Sequence, residues 1–425
     1  MPKTDKHEHF DAIIVGAGPA GLLLGRELSK KHNILVLEQN KLGETTKTWC
    51  TYEDRWKKAG LPQSFIRNRF NSWHALTPYE GEVRGITIKD DFVAFDEHKF
   101  LKYLGRQVRK QGSRIYEKTK FKKYSRTKEG EIHVNGKYST PLLIDCAGVD
   151  SPLIEEFERI ELPSYINCIS HIVEIPRLKN YNYYTFGKHK NGPNFAFGVT
   201  KIAPNLGHLL YFQYTTHKED PRKYKKDLYR VEKEQKVPKY KHKTWKVASY
   251  PTGRLKTNAA DNIFFFGDAG FYAPPLNGMG FNAALRHYKE AARHLSKCIK
   301  KKTYTEKDLR LDKPVTQINN LAFLIPAVAF NSLSPKFIFE VFEPLAKFPQ
   351  SKLVPIMRNT LKASDIPFYV EQMPKMIDEE QLKKTMKKAD LKQMLDVIGA
   401  LTDEIAKLEI ENKMGKKQKV KDMYN

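Results

Sequence analysis

The sequence predicts an α/β protein: a Rossmann-like, G-x-G-x-x-G dinucleotide-binding domain with an inserted β-rich substrate domain and a C-terminal helical region. Three observations predict it. A short apolar run, Phe10 to Val15, leads directly into Gly16-Ala17-Gly18-Pro19-Ala20-Gly21. A second apolar run, Asn262 to Phe266, ends in another glycine-rich turn and opens a long helical pattern. Between them, from Ser164 to Val247, β-branched and aromatic residues recur in short strand-like runs. The expected domains are 1–160 with 250–300 for the dinucleotide, 161–249 with 73–95 for the β-rich part, and 301–425 for the helices.

The first motif is read as strand, turn and helix. Leu22 to Leu28 begin the helix, and Asn33 to Leu37 form a second strand ending in Glu38. Gly16 permits the tight turn, Gly18 lets the backbone approach a pyrophosphate, and Gly21 lets helix and strand pack closely. With Pro19 and Ala20, these residues put the helix N-terminus, its unpaired N–H groups and positive dipole end, against the phosphates. Glu38 stands 22 residues after Gly16, where a carboxylate accepts hydrogen bonds from a ribose.

The second motif is Gly267-Asp268-Ala269-Gly270, followed by Phe271 to Leu276, then Asn277-Gly278-Met279-Gly280-Phe281-Asn282 at the head of a helix to about Cys298. A strand leading into G-D-A, then prolines and a G-x-G helix start, resembles the second FAD contact of the p-hydroxybenzoate-hydroxylase-like flavoproteins. That resemblance implies FAD as cofactor, with Asp268 on its ribityl–pyrophosphate region and the following helix aimed at the flavin pyrimidine carbonyl. A reduced flavin carries negative charge beside N1, which a helix N-terminus stabilises. Between the two motifs, Leu142 to Ile144 followed by Asp145-Cys146-Ala147-Gly148-Val149-Asp150-Ser151 resembles the family's strand and D-x-x-G-x-x-S segment. The expected cofactor residues are thus Gly16, Gly18, Pro19, Ala20, Gly21, Glu38, Gly267, Asp268, Ala269, Gly278, Gly280 and Asn282. No second G-x-G-x-x-G follows, so NAD(P)H is expected to dock transiently, or another donor to supply the electrons.

Elsewhere, residues 41–75 read as loop and short helix, Glu82 to Phe95 as a hairpin, and Asp96 to Gln111 as a helix with Phe100, Leu101, Leu104 and Val108 on one face. Asn135-Gly136 marks a hairpin turn. Phe323, Phe330, Phe337, Phe339, Phe342 and Phe348 enrich the region 317–349, which is expected to line an apolar channel. A final helix is expected at 378–411, with Leu391, Leu395, Ile398, Ile405 and Leu408 on one stripe.

Two branches of the family compete. Thr48-Trp49-Cys50, Trp73, and Phe92-Val93-Ala94-Phe95-Asp96 look like the bacterial lycopene cyclases. The Gly267 to Asn282 segment looks more like geranylgeranyl reductases and aromatic-ring hydroxylases. Cyclases carry a carboxylate in an F-L-E-E-T-like strand; the nearest match here, Tyr211-Phe212-Gln213-Tyr214-Thr215, has Gln213 at that place. A neutral amide is a poor proton donor, so flavin hydride transfer to a large apolar, isoprenoid-type substrate is expected over cyclisation. The alternatives are a flavin monooxygenase, for which Asn282 is typical, and a non-redox cyclase-like enzyme needing reduced FAD. The W-x-W-x-I-P segment of halogenases does not occur. Trp49 and Tyr272 are the substrate-side candidates; no catalytic acid or base is assigned.

The chain has 425 residues and a net charge of +25, with 40% hydrophobic and 12% aromatic residues, which excludes wholesale disorder. From Lys99 to Lys128 there are 12 basic residues against one acid, and from Lys218 to Lys246 there are 12 against five. These segments are expected to flank the substrate side and lean on anionic lipid headgroups. Nucleic acid is not expected, since no recognition motif accompanies the charge. Four scattered cysteines, Cys50, Cys146, Cys168 and Cys298, fit a reducing compartment and no metal site. With a polar N-terminus and no apolar run near the ~20 residues needed to span a bilayer, the expected location is cytoplasmic with peripheral membrane contact.

Overall fold

Four apolar segments line up side by side before any helix is considered. Ala12–Val15, Ile34–Leu37, Leu143–Asp145 and Ile263–Phe265 are buried on both faces, the pattern of parallel strands covered from two sides. In the computed structural model they form a six-stranded sheet in the order Ala259–Ala260, Ile263–Phe265, Leu143–Asp145, Ala12–Val15, Ile34–Leu37, Arg114–Tyr116. All neighbours are parallel except the edge pair Ala259–Ala260 with Ile263–Phe265. The structure describes residues 7–176, 178–180, 182–188, 194–311, 320–322, 324, 327, 330, 333–362, 365, 368, 369, 371, 372, 392 and 395–404.

One face of this sheet, through Ile14, Val36, Ile144 and Phe264, packs on the helices Pro19–Leu28, Glu97–Lys110 and Gly280–Lys301. The other face, through Ile13, Leu35, Leu143 and Phe265, packs on a small sheet containing Ile132 and Val134. The helix Glu97–Lys110 starts where Asp96 accepts a hydrogen bond from the Lys99 N–H, and buries Phe100, Leu101, Leu104 and Val108. The Asn135-Gly136 turn has both residues at positive φ, 53° and 66°, as a type I′ hairpin requires.

A second, eight-stranded sheet runs Lys241–Pro251, Tyr165–Glu174, Leu206–Thr215, Asn194–Ala203, Asn182–Lys188, Ile66–Tyr79, Glu82–Phe95, Cys50–Tyr52. It takes in more chain than the β-rich segments read from sequence. Ile66–Tyr79, most of which falls in the 41–75 segment read as loop and short helix, is a 14-residue strand paired with Glu82–Phe95, which is itself one strand and not a hairpin. The turn between them is Glu80-Gly81, both at positive φ. The exposed positions of Ile66–Tyr79 carry Arg67, Arg69 and Asn71, and this polar half hid the alternation.

The eight-stranded sheet is also covered on both faces. The helix Lys225–Glu234 seals one, with Leu228 and Val231 against Phe197, Leu209 and Tyr211. The helices Pro335–Ala346 and Gln350–Arg358 cover the other, with Phe330, Ile338, Phe342, Phe348 and Leu353 against Trp73, Ile88, Phe92, Leu210 and Phe212. Phe339 instead meets Tyr79 and Arg84 at the hairpin tip, and Phe323 lies outside the described residues. Of the expected C-terminal stripe, Leu391, Ile405 and Leu408 lie outside the described residues. Leu395 and Ile398 are exposed, and Val397 and Leu401 pack instead, against Leu162, Leu321 and Leu324. The buried stripe is thus offset from the one read by spacing.

Apart from Lys246, which lines the apolar interior, the basic segments run elsewhere. Lys99 to Lys128 follow the helix and edge strand beside the six-stranded sheet, and Lys225–Glu234 covers the eight-stranded sheet on the side away from the C-terminal helices. No helix among the described residues is long and apolar enough to cross a membrane.

Candidate cofactor cradle and apolar cavity

Parallel register brings the three sequence motifs together. Asp145 pairs with Val15 on one side and Phe265 on the other, so the strand ends that precede Gly16, Cys146 and Gly267 share one edge. That carboxyl edge is where open α/β sheets bind their ligands.

Each glycine has a separate reason. Gly16 has φ +99°, and a Cβ there would lie 2.5 Å from the Cys146 carbonyl oxygen. Gly21 is pressed against the Gly16 carbonyl, where a Cβ would sit at 2.1 Å. Gly18, by contrast, has an ordinary φ of −72°, and a Cβ on it meets nothing within 4 Å. It faces open space at the N-terminus of Pro19–Leu28, a helix start with no side-chain cap and no acid in its first turn. Its free N–H groups suit a phosphate. Glu38 is braced at the neighbouring strand end, its two oxygens accepting from the Ala17 and Asn40 N–H groups at 2.8 Å.

The second motif abuts the first. A Cβ on Gly267, whose φ is +70°, would lie 2.5 Å from the Ala20 methyl. Ala269 is fully buried behind this contact. The Asp268 carboxylate sits at the head of the helix Gly280–Lys301, where a Cβ on Gly280 would come within 2.6 Å of it. Lys47 Nζ reaches the other Asp268 oxygen at 2.8 Å and lies 5.4 Å from the centre of the Tyr250 ring. Nothing in the spacing could have linked Lys47 to a residue 221 positions away. Asp145 is completely buried and accepts from the Ala147 N–H and the Ser151 hydroxyl, closing the third turn. Burial raises its carboxyl to about 6 despite those two bonds.

From this cradle a cavity of ≈ 590 Å³ extends between the eight-stranded sheet and the C-terminal helices. Gly278, Gly280, Phe281 and Asp268 line one end, with Trp49, whose ring lies 6.0 Å from Phe281. Trp73, Phe92, Phe186, Phe212, Phe330 and Phe342 line the body. The polar groups at its wall are largely discharged or paired. His208 is buried with Ser170 at 2.8 Å, and its pKa falls to about 3 through burial, helped by Lys246. Lys246 itself lies 3.8 Å from Glu97 and bonds the Thr45 carbonyl. Burial pushes the Cys50 thiol up to about 12, keeping it neutral. Asp268 is the one carboxylate among the described lining residues.

Two sequence candidates land elsewhere. Tyr272 does not line this cavity: its ring stands edge-on to Phe266 and His287, its hydroxyl accepts from Asn258 Nδ2, and it faces a separate small pocket. The Pro-rich loop turns back at Phe271, φ +55°, and carries Tyr272 to the far side. Asn282 also turns from the cavity, accepting from the Thr51 hydroxyl at 2.5 Å and from the Tyr52 N–H at 3.3 Å. It joins the helix to the edge strand. Gln213 sits on the sheet face opposite the cavity, bonded to the Tyr211 hydroxyl, while His208, Leu210, Phe212 and Tyr214 of the same strand face inward.

The floor is tied to the cradle at one helix end. The last carbonyls of Gln350–Arg358 and its cap accept from Tyr52 and Asn277 at Met357, from Arg55 at Arg358, and from Arg286 at Asn359. These are the groups a helix C-terminus leaves unpaired.

No family model matches the sequence. A digeranylgeranylglycerophospholipid reductase from Methanococcus vannielii is 24% identical over 356 residues, covering 77% of this chain and 87% of that protein. Among solved structures, a geranylgeranyl bacteriochlorophyll reductase-like protein from Thermoplasma acidophilum superposes with a TM-score of 0.71 at 16% identity, over 88% of this chain and 100% of that one. The chain has the fold of the FAD-dependent oxidoreductases. The flavoprotein fold extends to the halogenase PltM in complex with phloroglucinol and FAD, at a TM-score of 0.63 and 13% identity over 95% of this chain and 96% of that one. Flavin-dependent brominase Bmp2 matches at 0.64 and 15% identity, over 87% and 100%.

Proposed function

We propose that the protein is an FAD-dependent oxidoreductase that reduces carbon–carbon double bonds in a large apolar, isoprenoid-type lipid. The observation that carries this is the single cavity joining the glycine cradle to an aromatic and aliphatic body. The similarity to a digeranylgeranylglycerophospholipid reductase supports it. Gly18 and the uncapped helix Pro19–Leu28 hold the pyrophosphate, Glu38 the ribose, and Asp268 the ribityl chain, with Lys47 as its counter-charge. Bound FAD, once reduced, supplies a hydride.

The chain's own residues bind and orient. The Phe- and Trp-lined body holds the substrate by burying its apolar surface, at about 25 cal/mol per Å². The same packing excludes water from the reacting end. Neutral His208 and neutral Cys50 keep that end free of unpaired charge. Peripheral contact with anionic lipid surfaces is proposed for the basic segments; co-sedimentation with phosphatidylglycerol vesicles, absent with phosphatidylcholine, tests this part.

The decisive experiment reduces the purified, flavin-loaded protein anaerobically and supplies polyprenyl lipids. Products heavier by two hydrogens per reduced double bond are expected, with the flavin reoxidised in step. A protein without visible flavin absorbance, or one that leaves the lipids unchanged, defeats the proposal. A monooxygenase acting on an aromatic substrate is the second candidate, favoured by the shared fold with halogenase and brominase structures. Oxygen uptake on adding NAD(P)H and phenols would select it.

A further inference from the structure

A second pocket, of about 60 Å³, lies behind the loop that carries Tyr272, with Met279 and Met357 lining both it and the large cavity. It has room for several waters or one tetrahedral oxyanion. Four arginines line it. Arg254 is paired with Glu161 and Glu404, and Arg358 with Asp90 and Asp54. Arg55 and Arg286 form no ion pair among the described residues; their bonds go to the carbonyls of Asn282, Arg358 and Asn359. A guanidinium has five N–H groups, so both retain donors after these bonds.

A second observation points to the same place. Asn282, 2% exposed, lines this pocket, and its Nδ2 has no hydrogen-bond partner. Its orientation is not arbitrary: the Tyr52 N–H requires the amide oxygen, which turns the NH₂ away from the strand. Nearby, Asn359 Oδ1 is likewise buried without a partner. A buried donor left unmatched is costly, and a ligand that accepts from it removes that cost. The arginines also crowd one another: burial, then Arg286 and Arg358, lower the Arg55 pKa to about 10. Burial lowers the Arg286 pKa as well, opposed by Glu290 at the pocket wall.

We propose that this pocket is a binding site for a single phosphate-type oxyanion. Arg55, Arg286 and the Asn282 amide donate to it, and a protonated phosphate oxygen donates to Asn359. Because the same arginines hold the end of the helix Gln350–Arg358, the bound anion stiffens the floor of the large cavity. The site owes nothing to the substrate proposed above, and its test uses no substrate.

The phosphate could be free or the headgroup of a lipid, and the experiment separates the two. FAD-saturated full-length protein, with its pyrophosphate site filled, is titrated at constant ionic strength with inorganic phosphate, dioctanoyl phosphatidic acid or chloride. Calorimetry and the thermal midpoint are read. A saturable phosphate isotherm and a rising midpoint that chloride does not reproduce are expected. Tighter binding of phosphatidic acid than of phosphate would assign the headgroup, and the reverse would assign the free ion. Arg286→Gln, at an exposed position, is expected to weaken binding about tenfold. Arg55→Gln should do the same if it folds. Phosphate indistinguishable from chloride, or Arg286→Gln binding as tightly as the parent, overturns the proposal and leaves a pocket of water.

Discussion

Gly16 and Gly18 stand two residues apart and carry different physical loads. A methyl on Gly16 would strike the Cys146 carbonyl and force a left-handed backbone on alanine, so Gly16→Ala is expected to lower the unfolding midpoint whether or not FAD is present. A methyl on Gly18 meets nothing in the protein. Gly18→Ala is therefore expected to fold with the parent's flavin-free midpoint and to lose flavin binding, measured by absorbance after gel filtration. Equal flavin retention would show that the pyrophosphate does not approach Gly18. Asp145 offers a test in pH. Its folded-state pKa is raised, to about 6, above the unfolded value of ~3.9. Its contribution to stability is thus fully present below the unfolded pKa and is lost as pH rises through about 6. Asp145→Asn should gain on the parent between about pH 4 and 6, by on the order of 2–3 kcal/mol at most, as read from denaturant midpoints. These residues were all visible in sequence as motif members. The load on each was not, because it depends on which carbonyl or hydroxyl lies opposite.

At the scale of elements, alternation decides which side chains can reach a substrate. In Leu206–Thr215 the inward set is His208, Leu210, Phe212 and Tyr214, and Gln213 points into the layer beneath the helix Lys225–Glu234. Restoring the cyclase-like acid by Gln213→Glu is therefore expected to yield no cyclised product. It should also destabilise the protein by about 1–3 kcal/mol, since a carboxylate would be buried against Tyr211. Cyclisation by that variant would mean that the strand faces the other way. The parallel strands were legible because fully buried strands read as unbroken apolar runs. Ile66–Tyr79 was not, because its polar outward half imitates a loop. The C-terminal helices were legible as helices, but their packing faces were not. Val397 is buried where Leu395 and Ile398 are exposed.

The whole molecule is built by laying the C-terminal helices against one face of the eight-stranded sheet, and the cavity exists only between them. Besides the capped helix end and the bonds of Gln350 and Arg84 between helix and sheet, a buried amide joins the two layers: Asn194 donates to the carbonyls of Phe330 and Leu333. Asn194→Leu leaves both carbonyls without their donor. Unfolding is expected to become easier by about 2–3 kcal/mol, with proteolysis of the C-terminal region well before the rest. A variant that resists protease like the parent would show that the floor is held without the Asn194 amide. The sequence by itself determined the glycine-rich turns of the candidate cradle, since glycine, acid and apolar strand occur at spacings set by local backbone geometry. Only the tertiary structure decided that Trp49 reaches the cavity while Tyr272 and Asn282 turn away. Only it paired Lys47 with Asp268 and set two arginines on one helix end. Those arrangements depend on chain segments hundreds of residues apart meeting in one register, and no local spacing encodes that meeting.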